Sequence, residues 1–345
     1  MSNYSFRYDY SEGAHPRILE ALEKTNFVQQ DGYGDDAYCE QAKQIIREKI
    51  SNPQADVHFV SGGTQANLVV ISSILKPYES VVSAATGHIF VHETGAIEAT
   101  GHKINTIPTT DGKITPAKIQ QVMAEHTDEH MVFPRLVFIS NSTEIGTVYK
   151  KREIQDISAF CKKKGLYLYL DGARLGSALT AGDNDLTLPE LSAYVDAFYI
   201  GGTKNGALLG EAIVINNDAL KEKFRFHMKQ RGALLAKGRI FGLMFKELLK
   251  NDLYFDIARH ANIMADKIRH AIKQEKFGFI TETRSNQIFP VLPNNIIERL
   301  AEKYEFYVWK KVDEEQAAIR LVTSWATEED AVDRFIEDLH NICRQ

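Results

Sequence analysis

The chain has 345 residues, which allows one large domain with a smaller companion but not a string of modules. Its 41 basic and 46 acidic side chains give a net charge of −5, without the basic footprint of a nucleic-acid or anionic-membrane binder, so small molecules and further copies of itself are the expected partners. No apolar run approaches the roughly 20 residues that span a bilayer, and Met1-Ser2-Asn3-Tyr4 lacks the basic-then-apolar order of a secretion signal, so a cytoplasmic location is expected.

Short apolar β-rich runs alternate with helical patterns through the first two thirds of the chain. The runs Val57–Val60, Val81–Ala84, Ile104–Ile107, Leu136–Ile139, Leu166–Leu170, Ala197–Ile200 and Ala212–Ile215 read as strands. Between them Gln65–Leu75, Pro116–Glu125 and Ile154–Lys163 space their apolar residues three or four apart, as helices that bury one stripe. This alternation predicts an α/β fold, a mostly parallel sheet covered by helices. From about Lys221 the pattern changes to long helices, Leu235–Leu249 and Phe255–Ile272. The end reads strand, helix, strand, strand, helix over Gln287–Leu292, Asn295–Lys303, Phe306–Lys310, Ala318–Val322 and Glu328–Asn341. The expected division is a large domain over residues 1–250 and a small α+β domain, with its linking helix, over 251–345.

Three segments carry candidate chemistry. In Tyr167-Leu168-Tyr169-Leu170-Asp171-Gly172-Ala173-Arg174 a strand ends in a carboxylate, a glycine and an arginine, and ligands of open α/β sheets bind at such strand ends; a plain helix-capping Asp is the simpler alternative. In Gly201-Gly202-Thr203-Lys204-Asn205-Gly206 a lysine stands among small residues that let a planar group approach. Burial there would lower its pKa and free the amine to attack a carbonyl, whereas an ordinary solvated lysine would do nothing. In Val60-Ser61-Gly62-Gly63-Thr64-Gln65-Ala66-Asn67 a strand passes through a glycine turn into a helix, whose free N–H groups and Thr64 hydroxyl suit a phosphate; turn-and-cap chemistry accounts for the same letters.

Together these segments resemble the aminotransferase-like, fold-type I pyridoxal-phosphate enzymes, and among them the threonine aldolase and β-eliminating lyase family. The resemblance runs over nearly the whole chain, through Phe6-Arg7-Tyr8-Asp9, Gly34-Asp35-Asp36-Ala37-Tyr38, Gly63-Thr64-Gln65-Ala66-Asn67, His88, Asp171-Gly172-Ala173-Arg174, Lys204 and Arg320-Leu321-Val322-Thr323. It implies that Lys204 carries pyridoxal 5′-phosphate as a Schiff base and that Asp171 pairs with the pyridine nitrogen. His88 would stack on the ring, and Gly62, Gly63, Thr64 and Thr203 would line the phosphate and lysine loops. Arg174 and Arg320 would clamp the substrate carboxylate, a task suited to a planar bidentate donor. The implied reaction is cleavage of a threonine-like β-hydroxy-α-amino acid to glycine and an aldehyde, in a homodimer or homotetramer whose sites lie at subunit interfaces.

The sequence departs from that family where the family places a histidine base: the matching stretch is Ser140-Asn141-Ser142-Thr143-Glu144-Ile145-Gly146-Thr147, with Glu144 in the histidine's position. A carboxylate of suitable pKa serves as a base, and the same change equally signals another substrate or reaction. Tyr8 stands where the family has a small serine beside the carboxylate site. In Lys229–Arg239 the family's basic segment reaches a neighbouring subunit's phosphate, a task for Lys237 or Arg239, with a solvated basic helix start as the alternative.

A different lyase or an aminotransferase would keep Lys204, Asp171 and Arg320 and differ only in which bond breaks. A nicotinamide oxidoreductase is the rival from another class, since Gly32-Tyr33-Gly34-Asp35-Asp36-Ala37 matches a loose dinucleotide fingerprint, but Phe27-Val28-Gln29-Gln30-Asp31 makes a poor buried strand before it. A fold retained without activity would be expected to lose Lys204, which is present. No metal is expected: Cys39, Cys161 and Cys343 are isolated, without a C-x-x-C pair, and read as buried reduced thiols.

Overall fold

The computed structural model describes residues 3–344. Its first strand is the short Tyr4–Ser5 (β1). The seven expected runs then form one sheet from Asp56–Val60 (β2), Glu79–Ala84 (β3), Ile104–Ile107 (β4), Phe133–Ser140 (β5), Tyr167–Asp171 (β6), Ala197–Gly201 (β7) and Glu211–Ile215 (β8). The spatial order is β2-β8-β7-β6-β5-β3-β4; β8 runs antiparallel to both neighbours and the other pairs are parallel.

Both faces of this sheet are covered, and for that reason its central strands are apolar throughout rather than alternating. Alternate residues divide between two cores: Leu168, Leu170, Phe198, Ile200 and Val214 face one, and Tyr169, Tyr199, Ile213 and Ile215 the other. The helices follow from their caps. Pro116–Glu125 begins with a proline and is capped by the Thr115 hydroxyl, and Lys151–Lys164 stops at Gly165, which is left-handed. The expected helix over 235–249 begins only at Arg239. The segment before it is a turn against the N-terminal region, and a Cβ on Gly238 would sit 2.6 Å from the Gly34 nitrogen.

The C-terminal unit holds Gln287–Ile288 (β9), Val291–Pro293 (β10), Tyr304–Glu305 (β11), Tyr307–Lys311 (β12) and Gln316–Val322 (β13), with β13 antiparallel to β9, β10 and β12. The single strand expected over 287–292 is split, with Pro290 in the gap, where no N–H is available for a ladder. β1 pairs with β11, and Phe6 packs against Phe335 with ring centroids 5.3 Å apart. Residues 4–6, grouped by sequence with 1–250, are thus built into the core of the C-terminal unit.

Cys39 and Cys161 are buried free thiols, while Cys343 is half-buried rather than buried. Among the described residues no helix is long and apolar enough to cross a membrane.

Candidate active site

The registers Val60–Glu211 and Gly201–Glu211 bring the ends of β2 and β7 and the start of β8 to one edge of the sheet, and β6 ends there in Asp171. The chain turns at this edge through Ser61–Thr64, Gly172–Arg174 and Gly202–Lys204. Close packing requires glycine at Gly172, where a Cβ would lie 1.8 Å from the Tyr199 carbonyl oxygen. The three turns border a cavity of about 350 Å³ that also touches His88, His92, Tyr10, Tyr199 and Glu211. A second cavity of about 230 Å³ shares Tyr10, His88, His92 and Lys204 with it and extends to Glu144, Arg174, Gln287, Trp309 and Arg320.

Lys204 makes no hydrogen bond or ion pair with a described residue; its ammonium lies 5.9 Å from the centre of the Tyr10 ring. Burial and then the Arg174 cation push the amine below its ordinary range, against the pull of Asp9, Asp171 and Glu211. Asp171 is buried and accepts from the Ala173 N–H at 2.9 Å and from the Asn67 amide at 3.2 Å. On the phosphate-turn side, Gly62 precedes the helix Gly63–Ile74 without any side-chain cap, leaving the first N–H groups of a 12-residue helix directed at the cavity. Thr64 is exposed at the lip. Thr203 accepts from the Gly210 N–H at 2.9 Å, which fixes the lysine loop.

His88 opens the short helix His88–Val91. Its Nδ1 lies 2.8 Å from Glu93 Oε1, and the same oxygen accepts from the Asn67 amide at 2.7 Å. Asp171, Asn67, Glu93 and His88 therefore form one hydrogen-bonded chain, with the Tyr169 hydroxyl donating to Asn67 at 3.0 Å. Glu144 Oε1 accepts from the His88 backbone N–H at 2.8 Å and from the Ser140 hydroxyl at 2.7 Å, and neither bond uses Oε2. Burial pushes the Glu144 carboxyl above its ordinary range, with Asp171 adding to the effect against the Ser140 bond. His92 is pushed below its ordinary range by burial and by His88, and is neutral near pH 7.

The two arginines differ. Arg174 donates from Nε and Nη2 to Asp9 at 2.7 and 3.0 Å, a buried bidentate pair. Arg320 has no carboxylate partner among the described residues; its Nε is buried without an acceptor, and its guanidinium lies 5.6 Å from the centre of the Trp309 ring. Burial and the nearby Arg174 lower it to about 10.

The structure thus gathers Gly62, Gly63, Thr64, His88, Glu144, Asp171, Arg174, Thr203, Lys204 and Arg320 around the joined cavities. Two predicted residues lie elsewhere. Tyr8 is one layer back, stacked on Tyr10 at 4.8 Å and bonded to the Tyr307 hydroxyl, so that Tyr10 faces the cavities instead. Arg239 donates to the carbonyls of Thr25, at 2.7 Å, and Val28, and borders neither of the two joined cavities. The sequence alone assigned no role to Asp9 or Asn67, although both stand inside the quoted motifs, to Glu93, five residues after His88, or to Glu211, whose only signal is an acid at the head of an apolar strand.

Comparison with known proteins agrees with this geometry. The β-eliminating lyase family model matches residues 7–294. The low specificity L-threonine aldolase of a Pseudomonas species is 33% identical over 98% of this chain and 97% of its own, and that of Pseudomonas aeruginosa is 32% identical over 97% and 96%. The solved threonine aldolase of Leishmania major superposes with a TM-score of 0.98 at 48% identity over 99% of each chain. An aspartate aminotransferase of Thermus thermophilus, at 12% identity and a TM-score of 0.73, shares the fold. The chain belongs to the threonine aldolase and β-eliminating lyase family, with the aminotransferase-like fold that its sequence predicts.

Proposed function

We propose that this enzyme binds pyridoxal 5′-phosphate at Lys204 and cleaves a threonine-like β-hydroxy-α-amino acid to glycine and an aldehyde. The observation that carries the reading is a pair of half-buried cations, Lys204 and Arg320, that face one continuous space and have no carboxylate partner among the described residues. A nucleophilic amine at one end and a carboxylate receptor at the other suit an amino acid joined to a carbonyl cofactor.

The residues present fit that cofactor. The uncapped helix start after Gly62 suits its phosphate, the amine of Lys204 its aldehyde, and the carboxylate of Asp171 a protonated ring nitrogen. When bound, the cofactor withdraws electrons from the bonds at the substrate α-carbon. The protein supplies the rest. Arg320 holds the substrate carboxylate, while Arg174, committed to Asp9, contributes shape and field at the same wall. Glu93 orients the His88 imidazole against the cofactor cavity. Glu144 Oε2 accepts the proton of the β-hydroxyl as the bond between the α- and β-carbons breaks, a role supported by its raised pKa and free oxygen. Neutral His92 is the alternative acceptor on the same wall.

The reading extends to a homodimer or homotetramer in the cytoplasm, supported by the exposed Phe27 and Phe226, 95% and 75% accessible, and by the free thiols. Arg239 or Lys237 would then act toward a neighbouring subunit. A boundary near residue 250, with β1 counted in the C-terminal unit, is the corresponding domain division.

The test is to incubate the cofactor-saturated protein with threonine and with phenylserine and to identify products by NMR, with Lys204→Ala as the blank. Glycine with acetaldehyde or benzaldehyde is expected. A 2-oxo acid in place of glycine and aldehyde would move the reaction to elimination or transamination on the same cofactor.

A further inference from the structure

We propose that Glu211 couples anion capture at the Gly62–Thr64 turn to uptake of a proton, making it a positioning residue for both that turn and Lys204. The inference rests on reading the turn as a phosphate cup.

Glu211 opens β8, and its two partners in the sheet bring both loops to it. On one side it pairs with Val60, directly before the turn, and on the other with Gly201, directly before the lysine loop. Its side chain is 3% exposed and lines the same cavity as the turn and Lys204. One oxygen accepts from the Gly202 N–H at 2.9 Å. No ion pair joins the carboxyl to Lys204 or to another described cation.

The other titratable groups that face Glu211 are Lys204, Asp171 at the end of β6, Tyr169 and Tyr199 on β6 and β7, and Tyr254 from the helix Leu253–Gln274. Burial pushes the three phenols above their ordinary range, so they stay neutral. Lys204 is then the one cation in this set, and Asp171 already offsets it. A dianion entering the cup beside an ionised Glu211 would leave a large negative excess in a low-dielectric space. Burial already raises the Glu211 carboxyl to about 8, and a phosphate would raise it further. The step is carboxylate plus one proton to carboxylic acid, with no other bond made or broken. By reciprocity, the protonated acid favours the anion by the same factor.

The experiment titrates sulfate, dianionic throughout, into the cofactor-free full chain by calorimetry, from about pH 7 to about pH 9 in two buffers of different ionisation enthalpy. Uptake of a proton is expected near the upper end, with a roughly tenfold loss of affinity across the span. Because Lys204 also loses charge as pH rises, the decisive pair is Lys204→Ala, in which the loss persists, and Lys204→Ala/Glu211→Gln, in which it shrinks below about twofold. A purely structural Glu211 would change affinity equally at every pH. Persistence of the full slope in the double variant overturns the inference, as does sulfate binding by the native chain without proton uptake. The second result stands even if the Gln variant does not fold. Absence of sulfate binding at every pH overturns the phosphate-cup reading as well, so the two failures are distinguishable.

Discussion

Arg174 and Asp9 form a closed pair, with two hydrogen bonds of 2.7 and 3.0 Å between groups that are almost wholly buried, and Asn286 adds a third bond to Asp9 at 2.9 Å. Burial alone would push Asp9 up, but Arg174 and Lys204, with the bonds from Arg174 and Asn286, hold it below its ordinary range. The pair leaves Arg320 as the free guanidinium of the pocket.

This asymmetry predicts different losses for the two arginines. Arg320→Ala should lower kcat/KM roughly 10- to 100-fold through a lost charge-assisted carboxylate contact, with little change in stability. Arg174→Ala should cost on the order of 3–5 kcal/mol of stability, because it strands a buried carboxylate. Steady-state kinetics and urea unfolding of both variants check the division; a catalytic defect without destabilisation in Arg174→Ala would refute it.

For Glu144, replacement by Gln retains an acceptor for the His88 N–H and removes the base. Cleavage should slow by about 10²-fold or more while amino-acid binding, followed by the cofactor's visible absorbance, changes little. Because the native carboxyl is raised, the acidic limb of the rate profile should lie above the ordinary carboxylate range and vanish in the variant. Unchanged rates would transfer the proton to His92.

Asn67 keeps two carboxylates compatible, since its one amide nitrogen lies 2.7 Å from Glu93 and 3.2 Å from Asp171. Asn67→Ala is expected to cost about 1–3 kcal/mol, the scale of buried acceptors left without a donor. Chemical denaturation measures this, and a neutral substitution would mean that water replaces the amide.

Glu211 gives a pH dependence of stability with a definite sign. The folded carboxyl keeps its proton to about 8, whereas an unfolded glutamate loses it near about 4.3. Between those values the unfolded chain binds fewer protons, so this group's contribution is full at the acid end of the window and is lost as pH rises through it. Glu211→Gln should flatten that part of the profile in denaturation curves taken at intervals across the window; an unchanged profile would assign the slope to other groups.

The main sheet was legible because its strand runs are short, predominantly apolar and bounded by turns, a local property of the letters. Lys204, Asp171 and the Gly62–Thr64 turn were legible for a related reason: each is a chemically pointed residue at the end of such a run. What resisted reading were relationships between distant segments. Tyr8 and Tyr10 are both aromatic residues of one short stretch, and only the packing of Tyr8 against Tyr307 decides which of them reaches the cavity. Arg174 and Arg320 carry the same charge, and only the approach of Asp9, from the far end of the chain, separates a neutralised arginine from a free one.

By itself, then, the sequence determined the layered α/β fold, the family and the residue types of the chemistry, because periodicity and motif order are written along the chain. Tertiary structure alone decided the shared amide of Asn67, the commitment of Arg174 and the setting of Glu211. Hydrogen bonding and desolvation depend on which groups meet in space, and the partners here lie up to hundreds of residues apart.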